Sequence, residues 1–121
     1  MDEMLVSAEV FDQIVRDAID ALPDWVASIV DEMAVTVEDR STEELPPGRV
    51  LLGLYRGVPR TRYGGRPAGS LPGVITLYRQ PILATCSEPA DVPARVLKVL
   101  GHEVGHSLGL SEARLRELGW F

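Results

Sequence analysis

The chain has 121 residues, of which 45% are hydrophobic and 25% charged, and these values predict one soluble globular domain over residues 1–121. The net charge is −6 and no basic stripe is present, which argues against nucleic acid as a partner. No stretch approaches the roughly 18 apolar residues of a membrane span, and the first residues are acidic, so we expect a cytoplasmic protein without membrane contact.

Two helices are predicted at the beginning of the chain. Apolar residues recur at intervals of three and four from Val10 to Leu22, and Ser7 is placed to cap this first helix. Pro23 suits the first turn of a second, shorter helix that runs to about Val30. Both segments have the length of ordinary globular helices rather than of membrane spans.

Strand signals follow the two helices. Runs of β-branched and aromatic residues bounded by glycine and proline predict three strands, at residues 33–38, 50–55 and 74–78. The loop at residues 57–73 holds five glycines, and its length predicts a functional role. Residues 80–88 are compatible with either an extended segment or a turn.

Helical signals return in the last third of the chain. Asp91 is placed to cap a helix that runs through Leu108, and Gly109 is placed to end it. Ser111 then caps a last short helix that ends near Gly119. The order of helices, strands and helices predicts an α+β fold with a small sheet.

The two histidines of the chain lie four residues apart, in the sequence His102-Glu103-Val104-Gly105-His106. Residues i and i+4 share one face of a helix, so both imidazoles can bind one metal ion. Glu103 is placed to reach a metal-bound water and to act as a general base. The H-E-x-x-H spacing therefore predicts a zinc hydrolase site, and the alternative is a chance pair of exposed histidines.

The rest of this helix indicates how the motif is held. His102 follows Leu100 by about 200° around the helix, so the histidines face away from the apolar stripe that anchors the helix in the core. Gly101 and Gly105 are poor helix formers, which suggests that another element packs close to the backbone. The predicted stripe consists of Val96, Leu97, Leu100, Val104 and Leu108.

A catalytic zinc ion usually has three protein ligands. Glu112 lies ten residues after His102, and Gly109 permits a turn that brings the chain back toward the histidines. This is the third-ligand position of the pattern H-E-x-x-H-x-x-G-x-x-H, with glutamate in place of histidine. Two alternatives stay open: Glu112 is an acid favoured by the helix dipole, or Glu117 is the ligand.

The run HEVGHSLGLSEARLRELG, at residues 102–119, resembles the zincin-like metallopeptidases that occur as short bacterial proteins. The segments LLGLYRG, at 51–57, and PGVITLYRQPI, at 72–82, are similar to the same family. The resemblance thus covers most of the chain after residue 30. It implies a single small zincin-like domain, in which a small sheet packs with helices and the H-E-x-x-H helix lies near the C-terminus.

Membership of that family implies roles for four residues. His102, His106 and Glu112 are implied as ligands of one zinc ion, and Glu103 is implied as the base. The chain departs from the metzincins proper because no methionine follows His106, so the floor of the site must be built differently.

The pattern favours a zinc-dependent metallopeptidase, with a peptide or protein substrate that is hydrolysed by a zinc-activated water. One alternative is a zinc-binding domain with little hydrolytic activity that acts through protein–protein interaction. Another is a metal-free domain with a relict motif. The sequence does not set the oligomeric state.

Substrate contacts are expected at three places. The arginine-rich loop at 57–73 is expected to flank the metal cleft and to hold an acidic substrate. The strand at 50–55 or the strand at 74–78 is a candidate for backbone pairing with a peptide. The candidate donors to the oxyanion are Tyr55, Tyr63, Tyr78 and the arginines of residues 56–66.

Overall fold

The structure of the chain is a computed structural model that describes residues 6–57 and 73–119. Within these residues five α-helices and a three-stranded sheet form an α+β fold, which confirms the predicted class. None of these helices combines the length and hydrophobicity needed to cross a lipid bilayer. In chain order the elements are α1 (Ala8–Asp20), α2 (Asp24–Val30), β1 (Ala34–Glu38), β2 (Gly53–Arg56), β3 (Val74–Tyr78), α3 (Arg79–Ala84), α4 (Val92–Ser107) and α5 (Glu112–Glu117).

Two of the predicted helix caps are confirmed. The Ser7 hydroxyl accepts a hydrogen bond of 3.1 Å from the backbone N–H of Val10 in α1. The Ser111 hydroxyl accepts an equivalent bond of 3.1 Å from Arg114 in α5. Each cap satisfies a backbone N–H that has no partner within its helix, and so fixes where the helix begins.

The region between β3 and α4 differs from the prediction. Helix α3, Arg79–Ala84, takes in the first five residues of the ambiguous segment 80–88. The Asp91 side chain does not cap α4; its carboxylate accepts hydrogen bonds from the backbone N–H groups of Ser87 and Glu88. A short 3₁₀ turn, Pro89–Asp91, therefore leads into α4. The local side-chain–backbone bonds of aspartate outcompete the capping role here.

The sheet has the strand order β1-β3-β2, with β1 parallel and β2 antiparallel to β3. The prediction of β3 is confirmed at both ends, whereas β2 begins at Gly53 rather than at residue 50. Because β3 pairs on both sides, it has no backbone groups left for a peptide, and its candidacy for substrate pairing was wrong. Within residues 6–57 and 73–119, β2 pairs on one side only.

Helix α4 lies at the centre of the fold, between α1 and the sheet. Leu100 and Val104 of the predicted stripe are fully buried, but Leu97 is 37% exposed and Leu108 is only half-buried. Val99, which the prediction omitted, is buried against β2 at Gly53. The buried face of α4 is wider than the predicted stripe and is shifted toward Val99. This is because α4 packs against the sheet as well as against α1, and a helix covered on two sides needs a wider apolar face.

Candidate metal centre

The two histidines of α4 lie close to each other at its C-terminal end. Their Nε2 atoms are 3.0 Å apart, and the ring planes meet at 75° with centroids separated by 4.6 Å. Both side chains are partly exposed, while the residues between them are buried. One turn of helix therefore presents two imidazole nitrogens to the same point outside α4.

A tight turn after α4 reverses the chain. Gly109 has a φ of +76°, the left-handed conformation that glycine adopts without strain. The N–H of Leu110 donates to the carbonyl of Gly105 at 3.0 Å, and the N–H of Gly109 donates to that of His106 at 3.0 Å. This pair of bonds is the Schellman motif. The predicted role of Gly109 is confirmed, and the turn leads directly into α5.

The contact between α5 and α4 requires a glycine. Leu115 of α5 is fully buried, and its side chain fills the space that a Cβ at Gly105 would occupy. The expectation that another element packs close to the α4 backbone is confirmed at this position. Since Leu115 and Glu112 belong to the same short helix, the contact at Gly105 fixes where the Glu112 carboxylate lies.

Glu112 completes a group of three donors. Its Oε1 atom is 3.5 Å from Nε2 of His102 and 3.4 Å from Nε2 of His106. Within the described residues, this is the only set of three histidine, cysteine, aspartate or glutamate side chains placed to hold a metal ion. Glu117 instead pairs with Arg114 at 2.7 Å, and its side chain is 65% exposed.

The spacing of these donors fits an ion of the size of zinc. Zinc binds nitrogen and oxygen at about 2.0–2.1 Å in tetrahedral sites, so neighbouring ligand atoms lie about 3.3–3.4 Å apart. The observed separations of 3.0, 3.4 and 3.5 Å bracket that value. Three protein donors are also the number that catalytic zinc sites usually have, whereas structural zinc sites usually have four.

A comparison with protein families shows to which family the chain belongs. A family model for zincin-like metallopeptidases matches residues 30–120. The chain belongs to the zincin-like metallopeptidase family. The resemblance drawn from the motif is thereby confirmed, and membership implies a metal ion, usually zinc.

Structural comparison supports the same fold. A conserved hypothetical protein from T. thermophilus matches with a TM-score of 0.60 and 24% sequence identity. The match covers 85% of this zincin-like chain and 94% of the other chain. At this identity the likeness shows the fold alone. No curated protein matches the chain.

Glu103 of this zincin-like protein is a buried carboxyl group. It lies beneath β2 with 7% of its surface exposed, and it has a backbone hydrogen bond from Tyr55. Burial raises its pKa from 4.5 to about 7; the Tyr55 bond lowers the pKa, and the nearby charge of Glu112 raises it. A pKa near 7 is the value that suits a general base at neutral pH.

His106 has a depressed pKa. Burial is the largest cause, the neighbouring His102 acts in the same direction, and Glu112 opposes both. The neutral imidazole is the form that binds a metal ion, so the burial of His106 favours the ligating form.

Sequence reasoning missed Gly53, which allows β2 to approach α4. A Cβ there would lie 2.9 Å from Cγ1 of Val99 and 3.1 Å from Cγ of Glu103, both closer than side chains normally pack. The available signal was a glycine within an otherwise apolar strand, which often marks a close approach of another element. Gly53 thus lets the strand cover Glu103 and exclude water from it.

A cleft of about 410 Å³ opens beside His102 and Glu103. It runs between residues 50–53, at the start of β2, and residues 95–103 of α4. Sequence reasoning singled out His102, Glu103 and the strand at 50–55 but missed the part of α4 that precedes them. The cleft is lined by Val50, Leu51, Leu52, Gly53, Arg95, Lys98, Val99, His102 and Glu103.

Of the predicted donors to the oxyanion, the three in the described residues do not line this cleft. Tyr78 is 2% exposed within the core and does not line this cleft. The phenol of Tyr55 packs where side chains on Gly57 and Gly73 would otherwise lie. Arg56 forms an ion pair of 2.6 Å with Glu43. Residues 58–72 lie outside the described residues. They include Tyr63, the other arginines of 56–66 and all of the predicted cleft-flanking loop except its first and last residues.

Proposed function

We propose that this protein is a zinc-dependent metallopeptidase that hydrolyses a peptide bond at the site formed by α4 and α5. The observation that carries the proposal is the triangle of His102, His106 and Glu112 donors beside a buried glutamate. Membership of the zincin-like family supports the same reaction class.

Each residue of the site has a role in this proposal. His102, His106 and Glu112 hold the zinc ion, which when bound polarises a carbonyl group and acidifies water. The Glu103 carboxylate accepts a proton and then donates it to the leaving amine. Both transfers need a pKa near the working pH, and the burial of Glu103 produces such a pKa.

The edge of β2 is the place where a peptide would bind in this proposal. Within the described residues its outer side pairs with no other strand. The Tyr55 N–H of β2 already donates to Glu103, so an added strand would pair with other backbone groups of this edge. Gly53 at the start of β2 lies directly over Glu103, so a peptide paired with this strand passes beside the base. Of the two strands that the sequence offered, only the one at residues 50–55 has a side without a strand partner among the described residues.

The test separates catalysis from metal binding. Protein purified without chelator or nickel resin is analysed for metal and then incubated with a broad peptide library. Glu103→Gln is expected to retain zinc while hydrolysis falls by roughly 10²-fold or more, because glutamine preserves the shape but cannot take a proton. Glu117→Gln, an exposed glutamate in the neighbouring helix, is the control and should leave both unchanged.

Three outcomes would contradict the proposal. Hydrolysis that survives Glu103→Gln would remove the base from the mechanism. Zinc bound without any hydrolysis would favour the binding domain that acts through protein–protein interaction. A wild-type protein that binds no zinc would leave only a relict motif.

A further inference from the structure

The cleft beside His102 has two unlike walls. One wall is α4, whose Arg95 and Lys98 line the cleft together with Val99. The other wall is the chain segment that enters β2, where Val50 is 66% exposed and the two leucines that follow it are half-buried. A ligand in this cleft therefore meets two cations on one side and an aliphatic surface on the other.

The two cations share the face of α4 that carries the metal ligands. Arg95 precedes Lys98 by three residues, and Lys98 precedes His102 by four, which are the spacings of one helical face. At 1.5 Å per residue, Lys98 lies about 6 Å and Arg95 about 10 Å along the helix from His102. Extended peptide advances about 3.3 Å per residue, so these distances span about two and three residues of substrate.

The positive charge of this α4 wall is opposite in sign to the net charge of the whole molecule. The chain has a net charge of −6, yet the described residues that line the cleft include Arg95 and Lys98 and a single carboxyl group, that of Glu103. Within the described part of the chain, neither cation forms an ion pair with an acidic side chain. The general field of the protein repels anions, so any preference for an acidic ligand must come from such a local group.

We propose that Arg95 and Lys98 form a carboxylate-recognition subsite, which selects peptides with a carboxylate two or three residues from the bond that is cleaved. The proposal rests on the proposed function and adds the substrate class to it. The carboxylate is that of an aspartate or glutamate side chain or of the peptide C-terminus, because the guanidinium and ammonium groups bind both in the same way. The aliphatic wall at Val50 favours a peptide over a small inorganic anion, since it offers apolar contact but no further donors.

The test measures binding rather than turnover. The zinc-loaded full-length protein with Glu103→Gln binds peptide without cleaving it. The probes are fluorescein-labelled nine-residue peptides of alanine and leucine, in which a single glutamate is moved through the positions. A matched set carries glutamine instead, and each peptide is made with a free or an amidated C-terminus. Fluorescence anisotropy gives the affinities.

Peptides with glutamate at one or two positions are expected to bind about tenfold more tightly than their glutamine counterparts. Arg95→Gln and Lys98→Gln should each reduce that preference, whereas Lys98→Arg should keep it. Arg16→Gln, which removes the same charge from the exposed side of α1, is the matched control and should leave the preference unchanged. A preference that disappears on amidation assigns the subsite to the C-terminal carboxylate, and one that survives assigns it to a side chain.

Two results would overturn the subsite: equal affinity for glutamate and glutamine peptides, including the absence of binding to either, or a preference that is unchanged in both Arg95→Gln and Lys98→Gln. Either result leaves the peptidase proposal standing if wild-type protein hydrolyses peptides. Conversely, acid-selective binding without hydrolysis by the wild type supports the subsite and contradicts the peptidase.

Discussion

Replacing Glu103 by glutamine is expected to remove a large part of the pH dependence of stability in the metal-free protein. The folded-state pKa of this buried carboxyl group is raised to about 7, against an ordinary value of 4.5. Below pH 4.5 the group is protonated in both the folded and the unfolded protein, and it does not affect their balance. Between pH 4.5 and 7 the unfolded chain ionises first, so the free energy of unfolding falls as the pH rises.

The size of the effect follows from the two pKa values. A difference of about 2.5 corresponds to about 3 kcal/mol, since one pKa unit is about 1.36 kcal/mol. The wild-type protein should therefore lose about 3 kcal/mol between pH 4.5 and pH 8 through Glu103 alone. The variant lacks this loss, because a glutamine amide does not titrate in that range.

Urea unfolding in the presence of a chelator, at several pH values from 4.5 to 8, measures the difference between wild type and variant. All other side chains are the same in both proteins, so their contribution largely cancels in that difference. Glu117→Gln replaces an exposed glutamate and should give a profile parallel to the wild type. Profiles of wild type and Glu103→Gln that differ by a constant within about 1 kcal/mol would refute the account of Glu103 as a buried, destabilised carboxylate.

Three further predictions concern the framework of the site. Leu100→Ala should reduce the free energy of unfolding by about 2–5 kcal/mol, since Leu100 is fully buried; a loss below about 1 kcal/mol in urea titration would speak against its place in the core. Gly109→Ala should destabilise by about 1–2 kcal/mol because its φ is +76°, and an unchanged unfolding midpoint would contradict the turn geometry. Gly105→Ala should displace Leu115 and with it Glu112, so that competition with a chelator shows zinc affinity reduced by about tenfold or more; an unchanged affinity would mean that Glu112 is not held by this contact.

The sequence alone predicted the elements whose signals are local. Helix α1, the strand β3 and the turn at Gly109 follow from apolar periodicity, β-branched residues and the special backbone freedom of glycine. The placement of His102 and His106 on one face of α4 is also local, because four residues make about one turn of any α-helix. A glutamate ten residues after the first histidine was enough to suggest Glu112 as their partner.

Other features depended on contacts between distant segments. Leu97 was predicted as core and is 37% exposed, because the position of α4 between α1 and the sheet decides which of its apolar residues are covered. Asp91 was predicted as the cap of α4 and instead bonds to the turn before it. The start of β2 depends on where its pairing with β3 begins. Residues 50–52 resemble the rest of the strand in sequence, so no local signal marks Gly53 as the first residue.

The chemistry of the site likewise has one part that depends on local sequence and another that depends on contacts between distant segments. The sequence determined the identity and helical spacing of the proposed metal donors, because these are properties of one short segment. Only the tertiary structure placed Gly53 over Glu103, and so excluded water from the carboxyl group and raised its pKa to about 7. Only the tertiary structure brought Val50 opposite Arg95 and Lys98 in one cleft. The burial of Glu103 and the shape of the cleft arise where segments far apart in the sequence come together. Sequence patterns do not predict which distant segments make contact.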